Sequence, residues 1–310
     1  MNAPFNRSVG LLILEVVNSN PNGDPDLESD PRTLEADGRG IISPVSFKRK
    51  PRDLVLENGL AMDEARRTLK LGAKGDHNEY GILESRGRNR NEIIRMDRNS
   101  FLSSYWDARV FGNTFLESAK ESADDDKETK DFKKKIKDGE VKVDHFISTG
   151  VIQVGVGVSI APITIDRMTN TNKSGVQEGK DRGMAPLGFR VVRHAIYAIP
   201  YFVNPSMAAR NGTTENDIKL FEFLAPHAYS QTASVVRSDI RCLQIWRGRH
   251  KSPLGSCPDH LFLDALTPRV KNGVNSPKTR DDYEFPEPDT TLSERFEAIE
   301  DLCTKDWDSK

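Results

Sequence analysis

Residues Val9 to Val17 (VGLLILEVV) form a near-continuous apolar run of nine, β-branched at both ends. Successive strand residues point to opposite faces, so an unbroken apolar run predicts a central strand buried on both sides. It is too short to span a bilayer. The N-terminus has a single Arg and no small-residue cleavage site, so no signal peptide is expected. The run enters the loop Asn20-Pro21-Asn22-Gly23-Asp24-Pro25, whose residue types suit tight turns.

Ser43-Pro44 then reads as a helix start, with Ser as N-cap and Pro at the first helical position. A helix start presents unpaired N–H groups and a positive dipole end, which suit a phosphate. Lys48-Arg49-Lys50 follow one turn later, and Gly23, Gly38 and Gly40 let the backbone approach a ligand closely. Asn20 to Arg52 therefore reads as a surface for the backbone of a polyanion. A surface loop followed by a solvated basic turn is the competing reading. Pro51 predicts a kink at Lys50 or a restart after it. Asp24 could be a general base or a metal ligand, but Asp in such a loop more often caps its own turn.

Further along, 59–98 is a polar excursion with one or two short helices and, in its second half, the run Arg86, Arg88, Arg90, Arg95 and Arg98. His77 in it reads as exposed. Asn99/Ser100 cap a predicted helix through Phe111, with Gly112-Asn113 as its stop; Asp107 and Arg109 would orient it against its neighbours. Residues 117–140 read as a mobile connector or an exposed helix. From Val151 to Ile160 the sequence alternates, predicting a strand with Val154, Val156, Val158 and Ile160 on one face and Gln153, Gly155, Gly157 and Ser159 on a small, polar second face.

Residues 164–190 read as a hairpin excursion, 215–229 as a helix capped by Thr213/Thr214, Val235 to Trp246 as a strand, and Ser293 to Leu302 as a terminal helix. His250, Cys257 and His260 lack an evident fourth ligand, so no metal and no cofactor are expected. The order gives β-α-β-β-α-β. That is an α+β fold with a ferredoxin-like, RRM-type core and large insertions.

Charge adds one asymmetry. The net charge of −2 divides into −8 over residues 281–310, with eleven acidic and three basic residues, and +6 over the rest. A basic body with an acidic segment is compatible with nucleic-acid binding and with head-to-tail contact between copies. Taken alone, the acidic segment reads as an ordinary solvated one. Cys242, Cys257 and Cys303 make no disulfide framework, which points to a reducing cytoplasm.

Several pieces fall in the order of a known family. They are Asn20 to Pro25, Pro31-Arg32, Gly38-Arg39-Gly40, Ser43 through Arg52, Asp107-Ala108-Arg109-Val110-Phe111-Gly112, Gly150-Val151-Ile152-Gln153 and Lys180-Asp181-Arg182. In that order they resemble the Cas-seven family, the repeating backbone subunit of type I CRISPR surveillance complexes (Cascade), nearest its I-C and I-B branches. The resemblance covers residues 8 to 245. It implies a non-catalytic subunit of a single domain that stacks head to tail with copies of itself along a CRISPR guide RNA. It also implies target DNA reached through guide pairing, other Cascade subunits as partners and no membrane.

By the same resemblance Ser43, Ser46, Lys48, Arg49 and Arg52 would grip the guide, and Asn20, Asn22 and Gln153 would line its path. Arg167, Met168, Arg182 and Met184 would sit on a thumb-like hairpin over 164–190, with a finger-like insertion at 53–98. Two other readings stay open. One is a metal-dependent endoribonuclease using Asp24 or Asp181. The other is a structural homo-oligomer whose basic patch meets a neighbour's acidic segment.

Overall fold

In the computed structural model, residues 4–72, 79–86, 88, 90–114, 127–141, 147–172 and 185–307 are described. The elements used below are strands β1 (Ser8–Ser19), β2 (Arg39–Ile42), β3 (Ile152–Val154), β4 (Gly157–Pro162), β5 (Ile165–Asn172), β6 (Ala185–Val203), β7 (Ile240–Arg249) and β8 (Ala298–Asp301). The helices are α1 (Pro44–Glu57), α2 (Gly59–Leu69), α3 (Arg98–Ser104), α4 (Trp106–Phe111), α5 (Glu215–Leu224) and α6 (Asp259–Leu266).

The chain mixes helix with one large antiparallel sheet, in the order β8-β7-β1-β6-β4-β2, with β3 and β5 also paired to the long β6. As the apolar run predicts, β1 is central and buried on both faces. Leu12, Leu14 and Val16 pack with Phe47, Tyr197, Tyr201 and Phe221 under the α1/α5 layer. Val9, Leu11 and Ile13 pack with Phe262, Leu266, Tyr283, Leu292 and Phe296 on the other side. Each leucine- or phenylalanine-sized side chain removed from water contributes about 1.5–3 kcal/mol, so this strand anchors both layers.

Five expectations from the sequence change. First, α1 runs from Pro44 to Glu57 with Pro51 inside it, and the helix does not restart there. Pro51 is buried there, and the helix loses one internal hydrogen bond at this position.

Second, the helix expected up to Phe111 is two helices broken at Tyr105, and Asp97, not Asn99 or Ser100, is the cap. The break has a cause. Glu79 N–H and Gly81 N–H donate to the Ser103 and Ser104 carbonyls, and Gly81 O accepts from Trp106 N–H. The neighbouring segment takes the bonds that would have closed the helix.

Third, the alternating strand reverses its faces at Gly155-Val156, between β3 and β4. Gly157, Ser159 and Ala161 point into the α1/α5 layer, and Val158 and Ile160 are only half-buried. The small residues face inward because large partners lie there. A Cβ on Gly157 would lie 2.6 Å from Ile199, and one on Gly40 in β2 would lie 2.1 Å from the Tyr197 hydroxyl.

Fourth, residues 298–301 form β8, an edge strand on β7, where a helix was expected. Phe296, Leu302 and Tyr283 are buried, so the acidic segment is packed and not merely solvated. The open edge of β7 supplies a backbone ladder that a short polar helix cannot match. Fifth, the last core strand begins at Ile240, five residues later than expected, and the helix over 215–229 ends at Leu224 in a 3₁₀ turn. Its N-terminus is closed by a reciprocal Thr214–Asp217 capping box.

Of the region expected as a finger, α2 packs on α5, with Met62 and Ala65 in the core. The segment 73–78, including His77, lies outside the described residues. Residues 127–137 are helical. His250 engages Ser256 and Asp259 through its two ring nitrogens. Among the described residues no group of three or more His, Cys, Asp or Glu is arranged to hold a metal, and no helix is long and apolar enough to cross a membrane.

Candidate nucleic-acid interface

β1 ends at Ser19, and the loop that follows is built by two asparagine side chains. Asn20 is buried. Its amide donates to Ser29 O at 2.8 Å and Arg190 O at 3.1 Å, and its Oδ1 accepts from Asn22 N–H at 3.1 Å. Asn22 Oδ1 in turn accepts from Ser43 N–H at 2.7 Å, and Ser43 Oγ accepts from Ser46 N–H at 3.2 Å. The side chains thus form a relay from the sheet to the first turn of α1. Asn20 and Asn22 hold the helix start in place and do not themselves form its outer surface. Asp24 accepts from Asp26 N–H at 3.1 Å and lies 3.5 Å from Arg32, capping its own turn.

Consecutive helical residues are separated by about 100° around the axis, and the basic run of α1 accordingly fans out. Lys48 lies 5.4 Å from the centre of the Phe111 ring and forms no ion pair with any described residue. Burial, then the charge of Arg52, lowers its pKa. Arg49 turns to Asp53 at 2.5 Å and the Glu84 carbonyl at 3.0 Å. Lys50 is 4% exposed, 5.9 Å from the centre of the Tyr229 ring. Arg52, one turn further along α1, lies 5.0 Å from the centre of the same Phe111 ring. Its Nε donates to Asp107 Oδ2 at 2.9 Å, and the arginine side chain is 11% exposed.

Arg52 is thus engaged with the protein itself. Asp107 also accepts from the N–H groups of Leu83 and Glu84, so one buried carboxylate joins α1, α4 and the 81–84 segment. Arg109 is fully buried. It donates to both carboxylate oxygens of Asp217 and to the carbonyls of Leu102, Ser103 and Glu79. Asp107 and Arg109 therefore orient the helices, as the sequence suggests.

The two glycine motifs meet directly. Gly112, at φ +80°, and Gly150 pack backbone to backbone: a Cβ on Gly150 would lie 2.3 Å from Gly112 N and 2.4 Å from Val110 O. Gln153, exposed, donates to Gly150 O at 2.9 Å. Phe111–Gly112 thereby connects Lys48 and Arg52 on one side to Gln153 on the other.

The base of the hairpin is tied to the same loop. Strands β5 and β6 pair from Ile165↔Val192 to Asn172↔Ala185. Arg190 pairs with Glu28 and, at 3.1 Å, with Asp30, while its carbonyl accepts from Asn20. Arg167 is 72% exposed, 3.8 Å from Asp30. Met168 sits in β5 opposite Phe189. Arg182 and Met184 lie outside the described residues. Sequence reasoning missed Arg190 and the structural roles of Asn20, which is buried, and Asn22, which is half-buried.

A family model described as CRISPR-associated protein Cas7 matches residues 6–286, and the chain belongs to that family. No curated protein matches the chain in sequence. Among solved structures, a chain of one described as "CRISPR RNA-guided surveillance complex, pre-nicking" is similar at 14% identity and a TM-score of 0.44, covering 78% of this chain and 76% of that one. A chain of another, described as "CRISPR RNA-guided surveillance complex", is similar at 14% identity and a TM-score of 0.42, covering 87% and 78%.

Proposed function

We propose that this protein is a guide-RNA-binding backbone subunit of a CRISPR surveillance complex, stacking head to tail with copies of itself and with other Cascade subunits in the cytoplasm. The observation that carries the reading is the start of α1, held by the Asn20–Asn22–Ser43 relay, in a chain of the Cas7 family. Ser43 and Ser46 supply hydroxyls, their own N–H groups being taken by Asn22 and Ser43, and Lys48 supplies an ammonium without a carboxylate partner among the described residues. Such a surface holds phosphates and reads no bases. Sequence is then read by pairing between guide and target DNA.

Gln153 and Arg167 extend the path in this reading, with Met168, Arg182 and Met184 on the thumb-like hairpin at 164–190 and a finger-like insertion over 53–98. Arg52 acts by positioning α1 through the Asp107 carboxylate of α4, and Arg49, whose carboxylate partner Asp53 lies in α1 itself, through the Glu84 carbonyl. The role is non-catalytic, in keeping with an Asp24 carboxylate turned to its own loop. The order of the four central strands, with β7 and β6 flanking β1 and β4 beyond β6, supports a ferredoxin-like, RRM-type core. The motif spacing supports the I-C/I-B branch.

The test is a salt titration of single-stranded RNA binding by wild type and Lys48→Ala. Loss of one phosphate contact should weaken binding for every sequence and lower the slope of log K against log salt by about 0.7. An unchanged affinity and slope would remove Lys48 from the interface.

A further inference from the structure

A cavity of about 590 Å³ opens between the C-terminal half of α1, the N-terminus of α2 and the loop at 231–237. Lys50, Asp53, Glu57, Asn58, Gly59 and Arg237 line it. Lys50 and Lys48 are two residues apart, about 200° around the helix, so the cavity lies on a different face of α1 from Phe111 and Lys48.

The charges in this cavity are incompletely matched. Lys50 is buried and makes no hydrogen bond or ion pair with any described residue. The Arg237 Nε is also buried without a partner, and its guanidinium forms no ion pair among the described residues. Burial, then the charge of Arg237, holds the Lys50 ammonium down at about 8, with Asp53 acting against them. Asp53 is itself paired with Arg49 at 2.5 Å, and Glu57 reaches Arg49 at 3.9 Å. Two cations therefore share a cavity with each other and without a carboxylate of their own. A buried charge is costly unless paired. The first N–H groups of α2, at Gly59 and Leu60, also have no intrahelical acceptor, and they too line the cavity.

We infer that this cavity is a site for one phosphate group, held between Lys50 Nζ, the Arg237 guanidinium and the N-terminus of α2. A tetrahedral dianion matches two cations and a helix N-terminus. Asp53 and Glu57, held by Arg49, close the α1 wall of the cavity and leave room beside the two cations for a single group. The phosphate is either free or carried by a nucleic acid. The inference does not rest on the guide-RNA reading.

The experiment measures thermal unfolding of the full chain with inorganic phosphate, or with a short single-stranded RNA, against sodium chloride at equal ionic strength. Wild type should gain Tm beyond the chloride control, and Lys50→Met and Arg237→Gln should each lose that gain. Lys50→Met should fold without phosphate, because an apolar chain of similar length removes an unpaired buried charge. A gain with inorganic phosphate and an RNA affinity unchanged in Arg237→Gln identifies free phosphate as the occupant. A gain with RNA alone, lost together with RNA affinity in Arg237→Gln, identifies a strand phosphate. No gain in wild type with either probe, or a gain kept in both variants, overturns the site. Lys48→Ala keeps the phosphate gain whether or not the guide reading holds, so the two claims fail separately.

Discussion

Arg52 poses the sharpest question about this protein, because its sequence context suggests a phosphate contact and its structure an internal clamp. Asp107 is 1% exposed and accepts from Arg52 Nε, Leu83 N–H and Glu84 N–H at 2.9, 2.7 and 3.1 Å. Asp107→Ala would leave a buried guanidinium unpaired and two N–H groups without an acceptor, a loss of about 5 kcal/mol. That is comparable to the whole stability of many domains, about 5–15 kcal/mol, so gentler changes are needed. Asp107→Asn keeps an acceptor but loses the charge, and should cost about 2–3 kcal/mol.

Arg52→Met leaves Asp107 with its two N–H donors and should cost about 2 kcal/mol. Once either partner is changed, the other has little left to lose, so the double variant should show a coupling of about 2 kcal/mol. Urea unfolding measures the coupling, and RNA binding by the folded variants measures the role. If Arg52 positions α1, both single variants weaken RNA binding to a similar extent. If Arg52 grips the guide, Asp107→Asn leaves binding intact or tighter while Arg52→Met weakens it. A coupling below about 0.5 kcal/mol would refute the clamp.

Two further outcomes follow from the packing and the titration. Gly150→Ala forces a Cβ to within 2.4 Å of the Val110 carbonyl, with backbone on every side. It should lower stability by about 3 kcal/mol, read as a fall in the urea midpoint, and an unchanged midpoint would contradict the close approach. Burial works against the Asp259 carboxylate, but hydrogen bonds from His250 and Arg7 and the charge of Arg7 outweigh it and hold its pKa at about 2. A pKa depressed in the folded state stabilises above the ordinary 3.8 and loses that contribution as pH falls towards 2. Stability of Asp259→Asn should therefore fall less steeply than that of wild type over this acid range, and parallel pH profiles would remove the carboxylate from the acid response.

The elements that were legible have strong local causes. The apolar run at β1 has one stable placement, between two layers. The Ser43-Pro44 start and the Thr214 cap were readable because a cap acts within one turn of its own chain. The departures have long-range causes. Tyr105 breaks a helix because 79–81, distant in sequence, takes its hydrogen bonds. Residues 298–301 become a strand because β7 offers an open edge. The faces of β3 and β4 exchange because Tyr197 and Ile199 require small neighbours.

The site divides the same way. By itself the sequence determined that a helix starts at Ser43, that cations follow it and that a turn-rich loop precedes it, because spacing along one chain decides those features. Only the tertiary structure decided which cations remain available. Lys48, Arg49, Lys50 and Arg52 lie close together in sequence, but the helix turns them towards Phe111, Asp53, Tyr229 and Asp107. Their carboxylate and aromatic partners come from sequence-distant segments as well as from the next turn of α1. A charge's availability depends on what is packed against it, and that packing is set across the fold.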